Sequence, residues 1–139
     1  MSQFSYRVRQ HLWVTLPSDL EAFCNQLSRE LKLPLFEFDA ENVFEWGIIK
    51  IENGCIEVNI SRKHKRGESL LNEPVHILLL VENTAPISYD DHWVTRNLVP
   101  VYGQAIANLT NQPTYYGKVE YLGDNDFSYH SSHIFDPQV

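Results

Sequence analysis

The stretch FEWGIIKIENGCIEVNI, residues 44–60, decides the fold. Asn53-Gly54 in its middle is a strong turn signal, because both residues tolerate the positive φ that a type I′ turn requires. After the turn, Ile56, Val58 and Ile60 alternate with polar residues, as they do in a strand with one buried face. The stretch therefore predicts a β-hairpin.

The first strand of this hairpin has apolar residues on both faces. Alternation places Phe44 and Trp46 on one face with Ile48, whereas Ile49 and Ile51 fall on the other face. A change of face within one strand is typical of a β-bulge, which inserts an extra residue. The pattern predicts a bulge near Gly47.

Upstream of the hairpin, the sequence predicts a strand and a helix. Residues 4–16 alternate between apolar and polar side chains, and Gln10 interrupts the apolar face, which predicts a bulge or a bend. A helix is expected next, with Ser18 as its cap and Glu21 three residues later, and Pro34 marks its end. A short strand over residues 35–38 leads into the hairpin.

Downstream, residues 62–73 are polar and predict a loop, and the apolar run 75–81 predicts a central strand covered on both faces. A second helix is expected from Asp90 or Asp91 to about Asn111. Pro100 either kinks this helix or starts it anew, because proline removes a helix hydrogen bond but suits a first turn. Residues 114–122 predict a further strand.

Together these elements predict an α+β domain of the order β-α-β-β-β-β-α-β. Strands joined by hairpins favour a single, mostly antiparallel sheet, with both helices packed on one face of it. The whole chain, residues 1–139, is expected to be one domain, and residues 123–139 are expected to be a polar C-terminal tail.

The composition favours a protein partner that is basic. The 139 residues carry 18 Asp and Glu against 11 Lys and Arg, a net charge of −7. An acidic surface repels nucleic-acid phosphates and anionic membranes, so neither is an expected partner. Cys24 and Cys55 are expected to be reduced, the N-terminus has no apolar leader, and a cytoplasmic monomer or homodimer is predicted.

Two groups of residues have the composition of a catalytic or metal site, each with a simpler alternative. His130 and His133, near several aspartates, could bind zinc, but a solvated polar segment has the same composition. Asp90, Asp91 and His92 could supply a carboxylate–imidazole base, but helix capping accounts for both aspartates. Nucleophile and phosphate-loop motifs are missing from the sequence, so we predict no catalytic residue and no cofactor.

Acidic and aromatic side chains are the candidate contacts for a basic partner, because aromatic residues are enriched at interfaces. These candidates are Glu45, Trp46, Glu52, Glu57, Asp90, Asp91 and Tyr116. The basic residues Arg62, Lys63, Lys65 and Arg66 allow three interpretations: an exposed loop, a phosphate or RNA contact, and a docking loop for an acidic partner.

Three stretches of the chain resemble the small immunity proteins of bacterial polymorphic-toxin systems. They are Phe44-Glu45-Trp46-Gly47-Ile48, Val58-Asn59-Ile60-Ser61-Arg62, and the segment from Leu98-Val99-Pro100 through Ala105-Ile106-Ala107 to Pro113-Thr114-Tyr115-Tyr116-Gly117. The resemblance implies an acidic, cytoplasmic, non-enzymatic protein that binds a cognate toxin, often a basic nuclease, and blocks its active site.

Two other functions remain open from the sequence. One is a small metal-dependent hydrolase that uses His92, His130, His133 and a nearby aspartate. The other is an accessory subunit of a larger complex.

Overall fold

The structure is a computed structural model and describes residues 5–65, 68–84 and 89–138. Its strands are β1 (Ser5–Val14), β2 (Glu37–Ala40), β3 (Phe44–Ile51), β4 (Ile56–Lys65), β5 (Glu68–Ser69), β6 (Val75–Thr84), β7 (Thr114–Gly123) and β8 (Asp126–Phe135). Its helices are α1 (Leu20–Leu31), α2 (Asp91–Asn97) and α3 (Val99–Thr110). Phe4 and Arg66 lie outside the described residues.

Within these ranges, one antiparallel sheet contains seven strands in the order β2-β3-β4-β6-β1-β7-β8, and β5 pairs with β4 beside it. The α+β class and the antiparallel sheet are confirmed. β6 and β1 occupy the centre, paired over their full ten residues. The central place predicted for the apolar run 75–81 is confirmed, but only one face of β6 is fully buried, because His76, Leu78 and Leu80 on the other face are partly exposed.

All three helices pack on one face of the sheet, which we call the helix face. Alternate residues of the central strands form this face and are fully buried, among them Leu12, Val14, Val58, Ile60, Ile77 and Leu79. α1 contributes Phe23 and Leu27 to the same core, α3 contributes Tyr102 and Ile106, and α2 covers a smaller cluster through Val94. The predicted packing on one face is confirmed.

Aspartates start two of the helices. The Asp19 carboxylate accepts the Ala22 N–H at 2.7 Å, so Asp19 and not Ser18 caps α1. The Asp90 carboxylate caps α2 in the same way, with the Trp93 N–H at 2.8 Å. Pro100 lies in the first turn of α3, which follows α2 at Leu98, so the second predicted helix starts anew there.

Neither predicted irregularity of the early strands is present. The register of β3 with β4 runs without a shift from Phe44 to Ile51, because both faces of β3 receive packing and no bulge is needed to bury its isoleucines. The register of β1 with β6 is also continuous through Gln10. The Gln10 amide bonds Asp91 and accepts the Tyr116 hydroxyl at 2.6 Å, so a polar residue is satisfied on the helix face.

Two segments expected to be irregular are strands. β4 continues through Lys65, and therefore the first part of the predicted loop 62–73 is sheet. The segment 123–139, expected to be a tail, contains β8, a strand of ten residues that pairs with β7. Polar alternation hides this strand, because an edge strand needs little apolar surface.

No helix in the described ranges is long and apolar enough to cross a membrane.

Candidate functional site

The face of the sheet opposite the helices carries an unusual number of rings. Residues that are directly paired across neighbouring strands project to the same face. The pairing register runs from Trp46 through Ser61 and His76 to Trp13 and Tyr115, and so places five side chains in one row across five strands. Phe44 lies beside this row on β3, and Phe127 and Tyr129 approach it from β8.

This face is concave because β8 curls back toward β3 and β4. In the sheet order, three strands separate β8 from β4. Even so, the Lys63 Nζ lies 2.9 Å from the Asp126 Oδ1, and the rings of Phe44 and Phe127 meet edge-on with centroids 6.1 Å apart. These contacts join distant parts of the sheet across its open face, which we therefore call the concave face.

A cavity of about 600 Å³ lies on the concave face. Four aromatic residues line it, together with three uncharged polar residues, five charged residues and Pro74. The aromatic residues are Phe44, Trp46, Phe127 and Tyr129; the polar residues are Asn59, Ser61 and His76; and the charged residues are Glu41, Arg62, Lys63, Glu73 and Asp126. Concave sites that combine aromatic rings with a few well-placed polar groups are typical binding sites.

Two stacked imidazoles, those of His11 and His76, lie on the concave face, and the second of them lines the cavity. The His11 Nδ1 and His76 Nε2 are 2.9 Å apart, and the ring centroids are 5.1 Å apart. Burial, followed by the proximity of His11, lowers the pKa of His76 to about 4. Burial and the charge of Arg9 also lower the pKa of His11. At neutral pH both rings are therefore uncharged, and one donates its N–H to the other.

The rim of the cavity is negatively charged. The hydrogen bond to Asp126 raises the pKa of Lys63, and the charges of Glu73 and Asp126 act in the same direction. Burial, and then the charge of Glu73, raises the pKa of the Tyr129 hydroxyl. Glu73 therefore acts on two side chains of the cavity. With Glu41, the rim has three carboxylates against the ammonium of Lys63.

The candidate partner contacts do not form one surface. Trp46 lines the cavity, and Glu57 projects from the same face of the sheet farther along β4. Glu45 lies on the helix face, paired in register with Arg62, and Tyr116 lies there bonded to Gln10. Of the others, Glu52 lies in the β3–β4 turn, Asp90 caps α2, and Asp91 bonds Gln10.

The histidines of the metal hypothesis lie on separate parts of the surface. His92, on α2, bonds Arg96 at 3.3 Å. On β8, the His130 Nε2 lies 3.0 Å from the Ser128 hydroxyl, and the His133 ring packs edge-on against Phe135. In the part of the chain that the structure describes, no three His, Cys, Asp or Glu side chains are grouped to hold a metal ion.

Arg62, which is 1% exposed, has a buried role that was not predicted from the sequence. Its guanidinium lies on the helix face and donates to the carbonyl oxygens of Ser18, at 2.7 Å, and Leu16, at 3.4 Å. The arginine thereby fixes the connection between β1 and α1. The alternation of Ile56, Val58 and Ile60 on β4 continues to Arg62, and this signal places it on the buried face.

Phe127 and Tyr129 form one wall of the cavity, a role that was not predicted from the sequence. They alternate with Ser128 and His130, which is the period of a strand. That signal was present but short, and the surrounding Asp, Ser and His residues favoured a tail.

Comparisons of the chain with protein-family models, with curated proteins and with solved structures gave no match.

Proposed function

We propose that this chain is a non-enzymatic binding protein, and specifically an immunity protein that neutralises a basic toxin by occluding its active site. The observation that carries the proposal is the cavity on the concave face, with its aromatic lining and acidic rim. The stretches that resemble immunity proteins lead to the same class, and one of them, residues 44–48, includes two residues of the cavity wall.

The lining of the cavity suits contact with a protein. Trp and Tyr dominate binding energies because their rings bury a large area at a small cost in conformational entropy. Trp46 and Tyr129 are both partly exposed in the unbound chain. A partner that covers them would remove apolar surface from water, which stabilises the complex.

The charge of the chain suits a basic partner. A net charge of −7 accelerates the approach of a positively charged protein, and the acidic rim orients that protein toward the cavity. Toxins that cleave nucleic acids present basic active sites, because they bind phosphates. An acidic concave surface placed over such a site would exclude the substrate.

The test uses the protein encoded by the gene beside that of this chain, since immunity genes directly follow their toxin genes. That protein is expressed with and without this chain, and cell growth and the Kd of the purified pair are measured. We expect the wild-type chain to protect the cells from the toxin. Trp46→Ala should bind the toxin at least about tenfold more weakly, because a central tryptophan typically contributes about 2 kcal/mol or more to the binding free energy.

Trp93→Ala is the matched control. Trp93, on α2, is also partly buried, but it packs against Tyr89, away from the cavity. Thermal unfolding establishes that both variants are folded. Equal loss of binding in the two variants, or absence of protection by the wild type, would contradict the proposal.

A further inference from the structure

We infer that the cavity on the concave face receives an arginine side chain of the basic partner, between the rings of Phe44, Trp46, Phe127 and Tyr129. The inference rests on the proposed function, because it takes the concave face as the contact surface. It adds the chemical group that the cavity recognises.

The rings supply the first argument. A guanidinium is planar and weakly hydrated, and it is attracted to the faces of aromatic rings, most strongly to that of tryptophan. The rings of Phe44 and Phe127 approach edge-on, and those of Tyr121 and Phe127 meet at 5.2 Å, so the β8 wall is held in place by ring contacts. A preformed wall lowers the entropic cost of binding.

The charges supply the second argument. Glu41, Glu73 and Asp126 stand against one ammonium, that of Lys63, and His76 is uncharged at neutral pH. Arg62 also lines the cavity, but its guanidinium projects to the helix face, where the carbonyl oxygens of Leu16 and Ser18 accept its hydrogen bonds. Lys63 itself shows that the rim stabilises a cation, since its Nζ lies 2.9 Å from the Asp126 carboxylate.

The polar groups inside the cavity supply the third argument. Asn59 and Ser61 present oxygen atoms that can accept hydrogen bonds, and guanidinium has five N–H donors in a fixed plane. A purely apolar ligand would remove water from these groups and offer nothing in return, which is unfavourable. An anionic ligand would meet the carboxylates of the rim.

The size of the cavity agrees with this occupant. Its volume of about 600 Å³ lies within the range of sites that hold whole small ligands, roughly 300–1,000 Å³. A complete arginine side chain therefore fits with its flanking backbone at the rim, where the carboxylates lie.

The experiment is an NMR titration of the full chain, following the indole N–H of Trp46. The probes are a capped Gly-Arg-Gly peptide and the same peptide with citrulline, which has nearly the shape of arginine but no charge. A saturable shift with the arginine peptide and at least about tenfold weaker binding of the citrulline peptide are expected, since a charged partner roughly doubles the strength of a hydrogen bond.

Two charge variants should change the affinity for the arginine peptide in opposite directions. Lys63→Met removes the competing cation and should tighten binding of the arginine peptide about threefold, whereas Glu73→Gln should weaken it about threefold. Glu30→Gln is the matched control, because Glu30 is exposed on α1, away from the cavity. It should leave the affinity unchanged.

Three results would overturn the inference: no saturable shift with the arginine peptide, loss of binding in Lys63→Met, or tighter binding of free arginine than of the peptide. If the Lys63→Met variant no longer bound the arginine peptide, the cavity would be a site for anions. If free arginine bound more tightly than the peptide, the cavity would be a site for small molecules. The proposed function would survive each result if Trp46→Ala still weakened the toxin complex. It would fail if the peptide bound and Trp46→Ala left that complex intact.

Discussion

At the scale of single residues, Arg62 is the clearest example of a polar group that the fold requires. It follows Ile56, Val58 and Ile60 on the face of β4 that meets the helices, and it is as buried as they are. A buried cation is costly unless it is compensated. Here two backbone carbonyls accept its hydrogen bonds, and Glu45 and Asp19 lie close enough to favour its charged form.

Replacing Arg62 with methionine should lower the free energy of unfolding by about 3 kcal/mol, because the carbonyls of Leu16 and Ser18 lose a charged donor. Urea unfolding measures the change. Lys65→Met is the control, since Lys65 is exposed at the end of the same strand and should change stability by at most about 0.5 kcal/mol. Similar stability of the two variants would mean that water replaces the guanidinium.

The stacked histidines predict a dependence of stability on pH. Burial lowers the pKa of His76 to about 4 in the folded chain, from 6.5. Between these values the unfolded chain binds a proton that the folded chain does not bind. The contribution of His76 to stability is therefore complete above pH 6.5 and is lost as the pH falls toward 4.

We expect His76→Phe to flatten the decline of the urea midpoint between pH 6.5 and 4. The phenyl ring keeps contact with Phe127 and Tyr129, which lie beside His76. His92→Gln, on the surface of α2, should retain the slope of the wild type. A slope in His76→Phe as steep as that of the wild type would assign the pH dependence to other groups.

At the scale of elements, β8 depends on a glycine in α3. A Cβ on Gly103 would lie 2.4 Å from the nearest ring atom of Phe135, the last residue of β8. The ring therefore packs directly on the helix backbone. Glycine costs a helix interior about 1 kcal/mol relative to alanine, so its presence here serves this close approach.

Gly103→Ala should destabilise the chain by about 1–3 kcal/mol, the usual cost of overpacking a core. In a Phe135→Ala background the same change should stabilise by up to about 1 kcal/mol, because only the gain in helix propensity remains. A double-mutant cycle in urea measures both. If Gly103→Ala changed stability equally in both backgrounds, the glycine would not be required by the Phe135 ring.

The elements that the sequence predicted are those with strong local signals. The β3–β4 hairpin has Asn53 and Gly54 at positive φ, and α1 has an aspartate cap and a left-handed C-cap at Lys32. The sequence of β8 lacks such a signal. This strand lies at the edge of the sheet beside β7, and most of its residues are polar and exposed. Propensity alone cannot distinguish that pattern from a tail.

At the scale of the whole molecule, the cavity is a consequence of sheet curvature. Lys63 and Asp126 meet at 2.9 Å although they are 63 residues apart in the chain, and Phe44 and Phe127 meet across the same gap. Trp46 was a predicted contact, but its neighbours in the cavity were not. Strand order and curvature decide which rings meet, and neither can be derived from the alternation of any one strand.

By itself, the sequence determined the α+β class, the hairpin, the first helix and the acidic net charge, because each depends on neighbours within a few residues or on composition. The tertiary structure decided that Arg62 is buried, that β8 is a strand, and that residues of β3, β4, β6 and β8 line the cavity on the concave face. These outcomes depend on which strands pair and how far the sheet bends, and the energies that select them come from contacts between residues far apart in the chain.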